Sequence, residues 1–353
     1  QMERFDGQVI LGVSERTLRR YILAFSKSGI SFVRHGNFRR APLNRLSVAL
    51  KVQVQKLVQE TYFDFNMTHL REKLFEDLGL QIKYATLRRW CHHVKHAGRR
   101  RAKARHYRER MSQEGVMLQM DGSHHHWFGG RFLCLMAAID DATGEVFAKF
   151  YEGETTLACM DLLKQITTTK GIFKVLYTDK AGVYGGIKRE NFSQVERALG
   201  DLGSQVIYAH SPEAKGRIER LFKTLQDRLI PELRHQGIGT IESANEYLQT
   251  IYLPHNHNPK NMVLAQNPVS AYRALPLAID LGSIFCIKEY RIVARDHTVS
   301  VGGDKWLITD DIKHSISKQK IEIRYDKWGS WVAYFAKRKI KLIKIQKSKR
   351  LAA

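Results

Sequence analysis

Three acidic residues lie in chain segments that one fold could bring together. Asp121 ends the strand-like run 116–121, and Asp179 ends a second such run, 173–179. Glu219 lies in a long helical stretch, with 39 residues between it and Asp179. An aspartate at a strand end is often only a turn residue. Three carboxylates in this order instead favour a shared cation site.

The chemistry available to clustered carboxylates is metal-ion chemistry, because like charges cannot all stay ionised together without cations. Hard oxygen ligands favour Mg²⁺ or Mn²⁺, which also bind phosphate oxygens. Two ions about 4 Å apart would activate the attacking oxygen and stabilise the leaving oxygen in an in-line displacement. Water as the nucleophile would cut a nucleic acid strand, and a 3′-hydroxyl would join two strands. We therefore expect two ions per active site.

Other carboxylates compete for the same role. Asp140 and Asp141 head the hairpin turn 141–144 and are better explained as turn formers. Glu213 lies near the start of the predicted helix, where a carboxylate stabilises the positive end of the helix dipole. Glu219 is therefore preferred as the third member.

The elements that must position these residues follow one another in a recognisable order. Residue alternation and helical periodicity predict strands at 116–121, 132–140, 145–151, 173–179 and 205–208, and helices at 155–167, 192–199 and 212–230. The order βββαβαβα is that of the ribonuclease H-like α/β fold. In that fold the first and fourth strands are neighbours, so Asp121 and Asp179 would lie side by side. We expect a catalytic core over 114–275.

Two helical regions precede this core. Residues 1–35 contain Gly12 at a turn and Ser14 as the cap of a basic helix, which predicts a helix-turn-helix. Its first helix is short or missing, so we expect the chain to begin inside a longer protein. Residues 45–97, with helices predicted at 67–78 and 86–94, resemble a second helix-turn-helix, although a plain three-helix bundle is the alternative. Residues 98–113 form a basic linker expected to lie on phosphates.

The C-terminal region returns to short strands. They are rich in Val, Ile, Tyr and Trp and are predicted at 290–293, 298–301, 320–325 and 331–335. This pattern predicts a small β-barrel over 280–345, followed by a basic tail over 346–353.

Charge identifies the class of partner. The 353 residues carry 58 Lys and Arg against 35 Asp and Glu, a formal net charge of +23. Such an excess favours a polyanion, and nucleic acid is the natural one. The chain lacks a run of about 18 apolar residues and any Cys-x-x-Cys spacing, so we expect a soluble, cytoplasmic protein without a membrane partner.

The run His124–His126 suggests zinc, but the sequence disfavours it. Consecutive residues cannot all face one ion, and no cysteine or acidic partner lies at zinc-site spacing. Trp127 and Phe128 are expected to pack against the sheet edge, with one histidine near substrate.

Three motifs carry a family resemblance: Gln119-Met-Asp-Gly-Ser123, Tyr177-Thr-Asp179 and Lys215-Gly-x-x-Glu219. They resemble bacterial insertion-sequence DDE transposases of the ISNCY group, within the retroviral-integrase superfamily, and the resemblance covers nearly the whole chain. It implies that Asp121, Asp179 and Glu219 are both the catalytic and the metal-binding residues. The choice of Glu219 over Glu213 depends largely on the third motif.

DNA contacts are expected from basic and hydroxyl side chains in the helical regions, the linker and the last core helix. The resemblance adds Lys215 and Arg220. The full set is Arg16, Arg19, Arg20, Thr86, Arg88, Arg89, Arg99, Arg100, Arg101, Lys103, Arg105, Lys215, Arg220 and Lys223.

The function expected is that of a transposase. It would bind transposon ends and catalyse metal-dependent DNA cleavage and strand transfer, as a homo-oligomer that holds double-stranded transposon ends and target. One alternative is a nuclease of the same fold, which would hydrolyse DNA but never join it. Another is a non-catalytic DNA-binding regulator.

Overall fold

The computed structural model describes most of the chain. Its described residues are 9–35, 37–38, 46–92, 108–178, 189–208, 216–310, 315–326 and 329–345, with the backbone alone for 189–193. The chain divides into two compact units, Gln1–Gln59 and Glu60–Ala353. Of the predicted linker, residues 98–107 lie outside the described residues, as does the tail 346–353. Among the helices described, none combines the length and the apolar character that crossing a membrane requires.

The first unit is helical. It contains helix α1 (Glu15–Ser28), a 3₁₀ turn (Gly29–Val33) and all but the last residue of helix α2 (Val48–Glu60). The Ser14 hydroxyl accepts a hydrogen bond from the backbone N–H of Thr17 at 3.4 Å, which confirms the predicted cap of α1. Gly12 takes a left-handed φ of 60° at the turn before it. The helix-turn-helix over 1–35 stays a prediction.

The second unit opens with helices α3 (Met67–Leu78) and α4 (Tyr84–Cys91). The side chain of Asn66 caps α3 by accepting hydrogen bonds from two backbone N–H groups, and left-handed Gly79 ends the helix. Leu74 and Leu87 are fully buried. The first predicted helix is confirmed, and the second is present but spans Tyr84–Cys91 and not 86–94. Their use as a helix-turn-helix stays a prediction.

A five-stranded sheet forms the core of the second unit. Its strands are β1 (Met117–Phe128), β2 (Arg131–Asp140), β3 (Val146–Tyr151), β4 (Val175–Thr178) and β5 (Gln205–Tyr208). The spatial order is β3-β2-β1-β4-β5, with the first three antiparallel and β4 and β5 parallel to β1. This is the predicted ribonuclease H-like arrangement, and β1 and β4 are neighbours as expected.

Helices cover both faces of the sheet. They are α5 (Thr156–Lys170), α6 (Arg189–Asp201), α7 (Gly216–His235) and α8 (Ile241–Tyr247), followed by a π-helical segment (Leu248–His257) and short α9 (Asn258–Asn261). One apolar cluster joins alternate residues of β1 and β2 to α5 and α6, and the other joins the opposite residues to α7 and α8. Trp127 and Phe128 pack into the second cluster against Phe150, so they lie in the core and not at the sheet edge as predicted.

The C-terminal region follows short helix α10 (Leu281–Ile284) and is built of strands. They are β6 (Ile287–Ile292), β7 (Thr298–Val301), β8 (Asp304–Ile308), β9 (Lys320–Tyr325), β10 (Trp331–Phe335), β11 (Arg338–Ile340) and β12 (Leu342–Lys344). They form a four-stranded sheet, β11-β10-β9-β6, and a three-stranded sheet, β12-β8-β7, around one apolar core. The Arg197 guanidinium on α6 donates to the carbonyl of Cys286 at 2.6 Å and fastens this region to the part of the unit built on the five-stranded sheet. Closure into a barrel stays a prediction.

Candidate active site

Asp121 lies where strand β1 separates from β4. The parallel pairing of these strands covers only Met117–Gln119, while pairing with β2 continues to Phe128. The sequence placed Asp121 at the end of the strand, which is wrong, because the hairpin with β2 extends β1 seven residues further. On the side of β4, however, Asp121 is two residues past the last pair, Gln119 with Tyr177.

Two flanking contacts show which face of the sheet Asp121 occupies. The amide of Gln119 donates to Asp141 Oδ1 at 2.7 Å, and the Asp141 carboxylate pairs with Arg217 Nε of α7 at 2.9 Å. The Ser123 hydroxyl accepts from Gln226 Nε2 of α7 at 3.1 Å. Because alternate residues of a strand share a face, Asp121 lies on the face covered by α7.

Asp179 directly follows the last residue of β4 but lies outside the described residues. The strand that leads to it pairs with the segment of β1 just before Asp121. Thr178, the last described residue before it, is fully buried.

Glu219 lies in the first turn of α7, and its side chain is exposed. Gln226 contacts Ser123 of β1 directly, and Arg217 is linked to Gln119 of β1 through Asp141, so the turn with Glu219 runs beside the stretch that contains Asp121. The rival Glu213 lies outside the described residues. Glu219 itself lies in the first helical turn, where a carboxylate stabilises the positive end of the helix dipole. The helix dipole therefore gives no reason to prefer Glu219 over Glu213.

The carboxylate oxygens of Asp121 and Glu219 suit a hard cation. Asp121 is half-buried on β1 and Glu219 is exposed on α7, so both carboxylates combine a fixed backbone with access to solvent. Carboxylate oxygens are the ligands that Mg²⁺ and Mn²⁺ prefer. The exposed face of α7 adds Arg220 and Lys223, whose positive charge suits phosphate.

Asp140 and Asp141 are structural, as predicted. Asp140 Oδ1 accepts from the backbone N–H of Ala142 at 2.9 Å and of Thr143 at 3.0 Å, which builds the turn after β2. Asp141 is fully buried and accepts from the backbone N–H of Met111 at 2.9 Å. Both carboxylates are used within the fold.

The predicted DNA contacts divide into two groups. Those that are described lie on exposed or half-exposed helix surfaces: Arg16, Arg19 and Arg20 on α1, Thr86, Arg88 and Arg89 on α4, and Arg220 and Lys223 on α7. Those outside the described residues are Arg99, Arg100, Arg101, Lys103, Arg105 and Lys215.

The sequence missed one cluster of side chains on the face of β1 opposite to Asp121. His124, Cys134 and Glu154 bring their donor atoms within 4.8 Å of one another. The sequence shows no cysteine or acidic residue at zinc-site spacing from the histidine run, but Cys134 and Glu154 reach His124 across the strand pair. His124 pairs with Cys134 through the register of β1 and β2, which spacing along the sequence does not give.

Relatives are found by sequence, although no family model matches the chain. It is 32% identical, over 322 residues, to a protein of Sinorhizobium fredii that carries the transposase name y4bF, covering 88% of this chain and 70% of the relative. It is 31% identical, over 319 residues, to the transposase for insertion sequence IS1202 of Streptococcus pneumoniae, covering 76% of this chain and 68% of that protein.

Solved structures show a more distant likeness. The catalytic core of HTLV-2 integrase, solved with magnesium, is 17% identical and has a TM-score of 0.34, covering 42% of this chain and 93% of that one. The intasome of simian T-cell lymphotropic virus is 13% identical with a TM-score of 0.37, covering 82% of this chain and 96% of the other.

Proposed function

This chain belongs to the family of bacterial insertion-sequence transposases, and we propose that it binds transposon ends and catalyses metal-dependent DNA cleavage and strand transfer. The residues proposed for the chemistry are Asp121, Asp179 and Glu219.

One observation supports this proposal above the others. Helix α7 is linked to β1 on both sides of Asp121: Arg217 pairs with Asp141, which accepts from Gln119, and Gln226 donates directly to Ser123. The first turn of α7, with Glu219, is thereby held beside the strand that contains Asp121. A pair of carboxylates from separate elements is the donor set that a Mg²⁺ or Mn²⁺ site requires.

The three proposed carboxylates would hold two divalent ions. When bound, such ions supply charge stabilisation for the attacking and leaving oxygens of a phosphodiester. The protein would contribute the fixed positions of its carboxylates, and Arg220 and Lys223 would orient the DNA backbone from the exposed face of α7. Lys215 is proposed to add a further phosphate contact.

The remaining regions are proposed to hold DNA. The two N-terminal helical regions would read transposon ends through Arg16, Arg19 and Arg20 on α1 and Arg88 and Arg89 on α4. The linker would track the phosphates, and the C-terminal strands, as a small barrel, would hold flanking or target DNA. Two ends must be joined to one target, so we propose that the protein acts as an oligomer.

The test is a strand-transfer assay with precut ends of the parent element, Mg²⁺ and a target plasmid. Asp121→Asn keeps the shape of the side chain but removes its charge, so we expect cleavage and joining to fall by at least about a thousandfold, with end binding retained. Glu246→Gln, on the exposed side of α8, is the matched control and should leave both steps unchanged. Strand transfer by Asp121→Asn at the wild-type rate would refute the assignment.

The same assay separates the two alternatives. A nuclease would release cut DNA without plasmid junctions, and a regulator would bind ends without cutting them. Sequenced junctions between an end and the plasmid exclude both.

A further inference from the structure

Three side chains of different chemistry meet on strand pair β1–β2, away from the proposed carboxylate site. They are His124 on β1, Cys134 on β2 and Glu154 in the loop after β3. One donor atom of each lies within 4.8 Å of the others, and His124 Nδ1 is 3.8 Å from Glu154 Oε2. An imidazole, a thiol and a carboxylate are three ligand types of protein zinc sites.

Sheet register brings these residues together. His124 pairs directly with Cys134, and Cys134 pairs on its other side with Tyr151, the last residue of β3. Glu154 follows three residues later, just before the threonine that caps α5. The cluster therefore depends on the pairing of three adjacent strands.

Gly122 leaves the space that Glu154 occupies. A Cβ at this position would lie 2.8 Å from the Glu154 carboxylate and 3.1 Å from Cys134 Sγ. Its φ is not in the left-handed region, so the backbone conformation does not demand glycine here. A larger residue here would require the Glu154 carboxylate and the Cys134 thiol to shift from their present positions.

The cluster is separate from the proposed catalytic carboxylates. Gly122 and His124 alternate with Asp121 and Ser123 along β1, so they lie on the opposite face. Cys134 packs in the apolar cluster beneath α5, whereas Asp121 lies on the face of α7. An ion bound by the cluster would be held from the face of β1 opposite to Asp121, although the Asp121 charge still acts on the Cys134 thiol.

Solvent exposure increases from Cys134 to Glu154 to His124. Cys134 is fully buried, while the side chains of Glu154 and His124 are 15% and 43% exposed. The His124 ring stacks on Phe132, with centroids 5.9 Å apart, which limits its orientations. Burial, together with the nearby Glu154 carboxylate, raises the pKa of the Cys134 thiol to about 12.

The distances fit a tetrahedral ion after a small adjustment. Bonds of about 2.0–2.3 Å keep tetrahedral ligand atoms roughly 3.3–3.8 Å apart. The donor atoms of His124, Cys134 and Glu154 are at most 4.8 Å from one another, so they would have to move together by about 1 Å. Mg²⁺ prefers oxygen ligands in octahedral geometry and is a poor match for a thiolate and an imidazole.

We propose that His124, Cys134 and Glu154 form a binding site for Zn²⁺ or a similar borderline divalent ion on the back of the catalytic strand. The three residues fill three of the four tetrahedral positions. On binding, the thiol proton is released to water and the thiolate takes the ion. The bound ion ties β1, β2 and the loop after β3 together directly behind Asp121.

Cobalt is the probe, because a thiolate bound to tetrahedral Co²⁺ gives a charge-transfer band in the near ultraviolet. We expect the full-length protein to develop this band on addition of one equivalent of Co²⁺ and to lose it when Zn²⁺ is added. His124→Asn, at an exposed position, should lower Co²⁺ affinity by more than about tenfold, and Cys134→Ser should abolish the band.

Two further variants complete the test. His126→Asn, an exposed histidine two residues from His124, and Asp121→Asn should both keep the band. If Cys134→Ser does not fold, the comparison of Co²⁺ binding by His124→Asn and by His126→Asn decides whether His124 is a ligand. Absence of the band in the wild type, or its full retention in His124→Asn, would overturn the proposal.

Discussion

His257 shows how burial changes the protonation of a histidine. It lies in the π-helical segment, is 4% exposed and stacks on Tyr252 with ring centroids 6.1 Å apart. Burial, with a smaller contribution from the Arg228 charge, lowers the pKa of His257 to about 4. The imidazole is therefore neutral in the folded protein at every pH above that value.

This pKa predicts a loss of stability in mild acid. Between pH 6.5 and about 4 the unfolded chain binds a proton at this histidine and the folded chain does not, so the free energy of unfolding decreases as the pH falls. The full contribution is about 3 kcal/mol. We expect His257→Gln to remove this part of the pH dependence, measured by urea unfolding from pH 7 to 4.5.

His255 is the matched control for that measurement. It lies two residues away and is exposed, so His255→Gln should keep the wild-type slope. The prediction would be wrong if His257→Gln lost stability in acid as steeply as the wild type.

Between elements, helix α3 is docked on α7 through a buried polar group. Glu232 of α7 accepts from His69 at 2.7 Å and from the Tyr247 hydroxyl at 3.1 Å, and it pairs with Lys73 at 3.1 Å. Burial alone would raise the pKa of Glu232, but the hydrogen bond from His69 and the charge of Lys73 hold it below its ordinary value.

Ion pairs nearer to solvent surround this group: Arg228 with Glu72 at 2.9 Å, Arg234 with Asp64 at 2.6 Å and His235 with Asp77 at 3.2 Å. They are more screened and contribute less each. Together they fasten the helical module of α3 and α4 to the helix that contains Glu219, so DNA bound at α4 would have a defined position relative to the proposed site.

Removing the charge of Glu232 should therefore weaken the docking of α3 on α7. Glu232→Gln leaves the buried Lys73 without its buried partner, and we expect a loss of about 3 kcal/mol in the free energy of unfolding at pH 7. The stabilisation by the wild-type carboxylate is present above its unfolded pKa and lost as the pH falls through its lowered folded pKa. Glu246→Gln, exposed on α8, should cost less than about 0.5 kcal/mol, and equal losses in the two variants would contradict this role.

For the molecule as a whole, the net charge of +23 predicts DNA affinity that falls steeply with salt. The slope depends on contacts with phosphate and not on net charge alone. Arg88 and Arg89 are exposed on α4, whereas Arg131 is exposed on the β1–β2 hairpin and pairs with Glu152 at 2.6 Å.

Single substitutions should separate the effect of phosphate contact on the salt dependence from that of net charge. Arg88→Ala should reduce the slope of log affinity against log salt by about 1, while Arg131→Ala, with the same change in net charge, should leave it unchanged. Fluorescence anisotropy with an end duplex at several salt concentrations measures both slopes. Identical slopes for the two variants would indicate that α4 does not contact phosphate.

Much of the fold follows from the sequence alone. Strands β5, β7, β9 and β10 and helix α3 have the predicted bounds, and the order of core elements is the predicted one. Alternation, helical periodicity and turn residues act over a few positions, so they can be recognised without the rest of the chain. The family motif around Glu219 is local in the same way.

Tertiary structure decided what depends on residues far apart in the chain. The length of β1 beyond Asp121 is set by its pairing with β2, and the face on which Asp121 lies is shown by contacts with α7. The partners of His124 come from a neighbouring strand and a loop, 10 and 30 positions away. Their meeting depends on strand register, and register is a property of the assembled sheet that linear spacing does not contain.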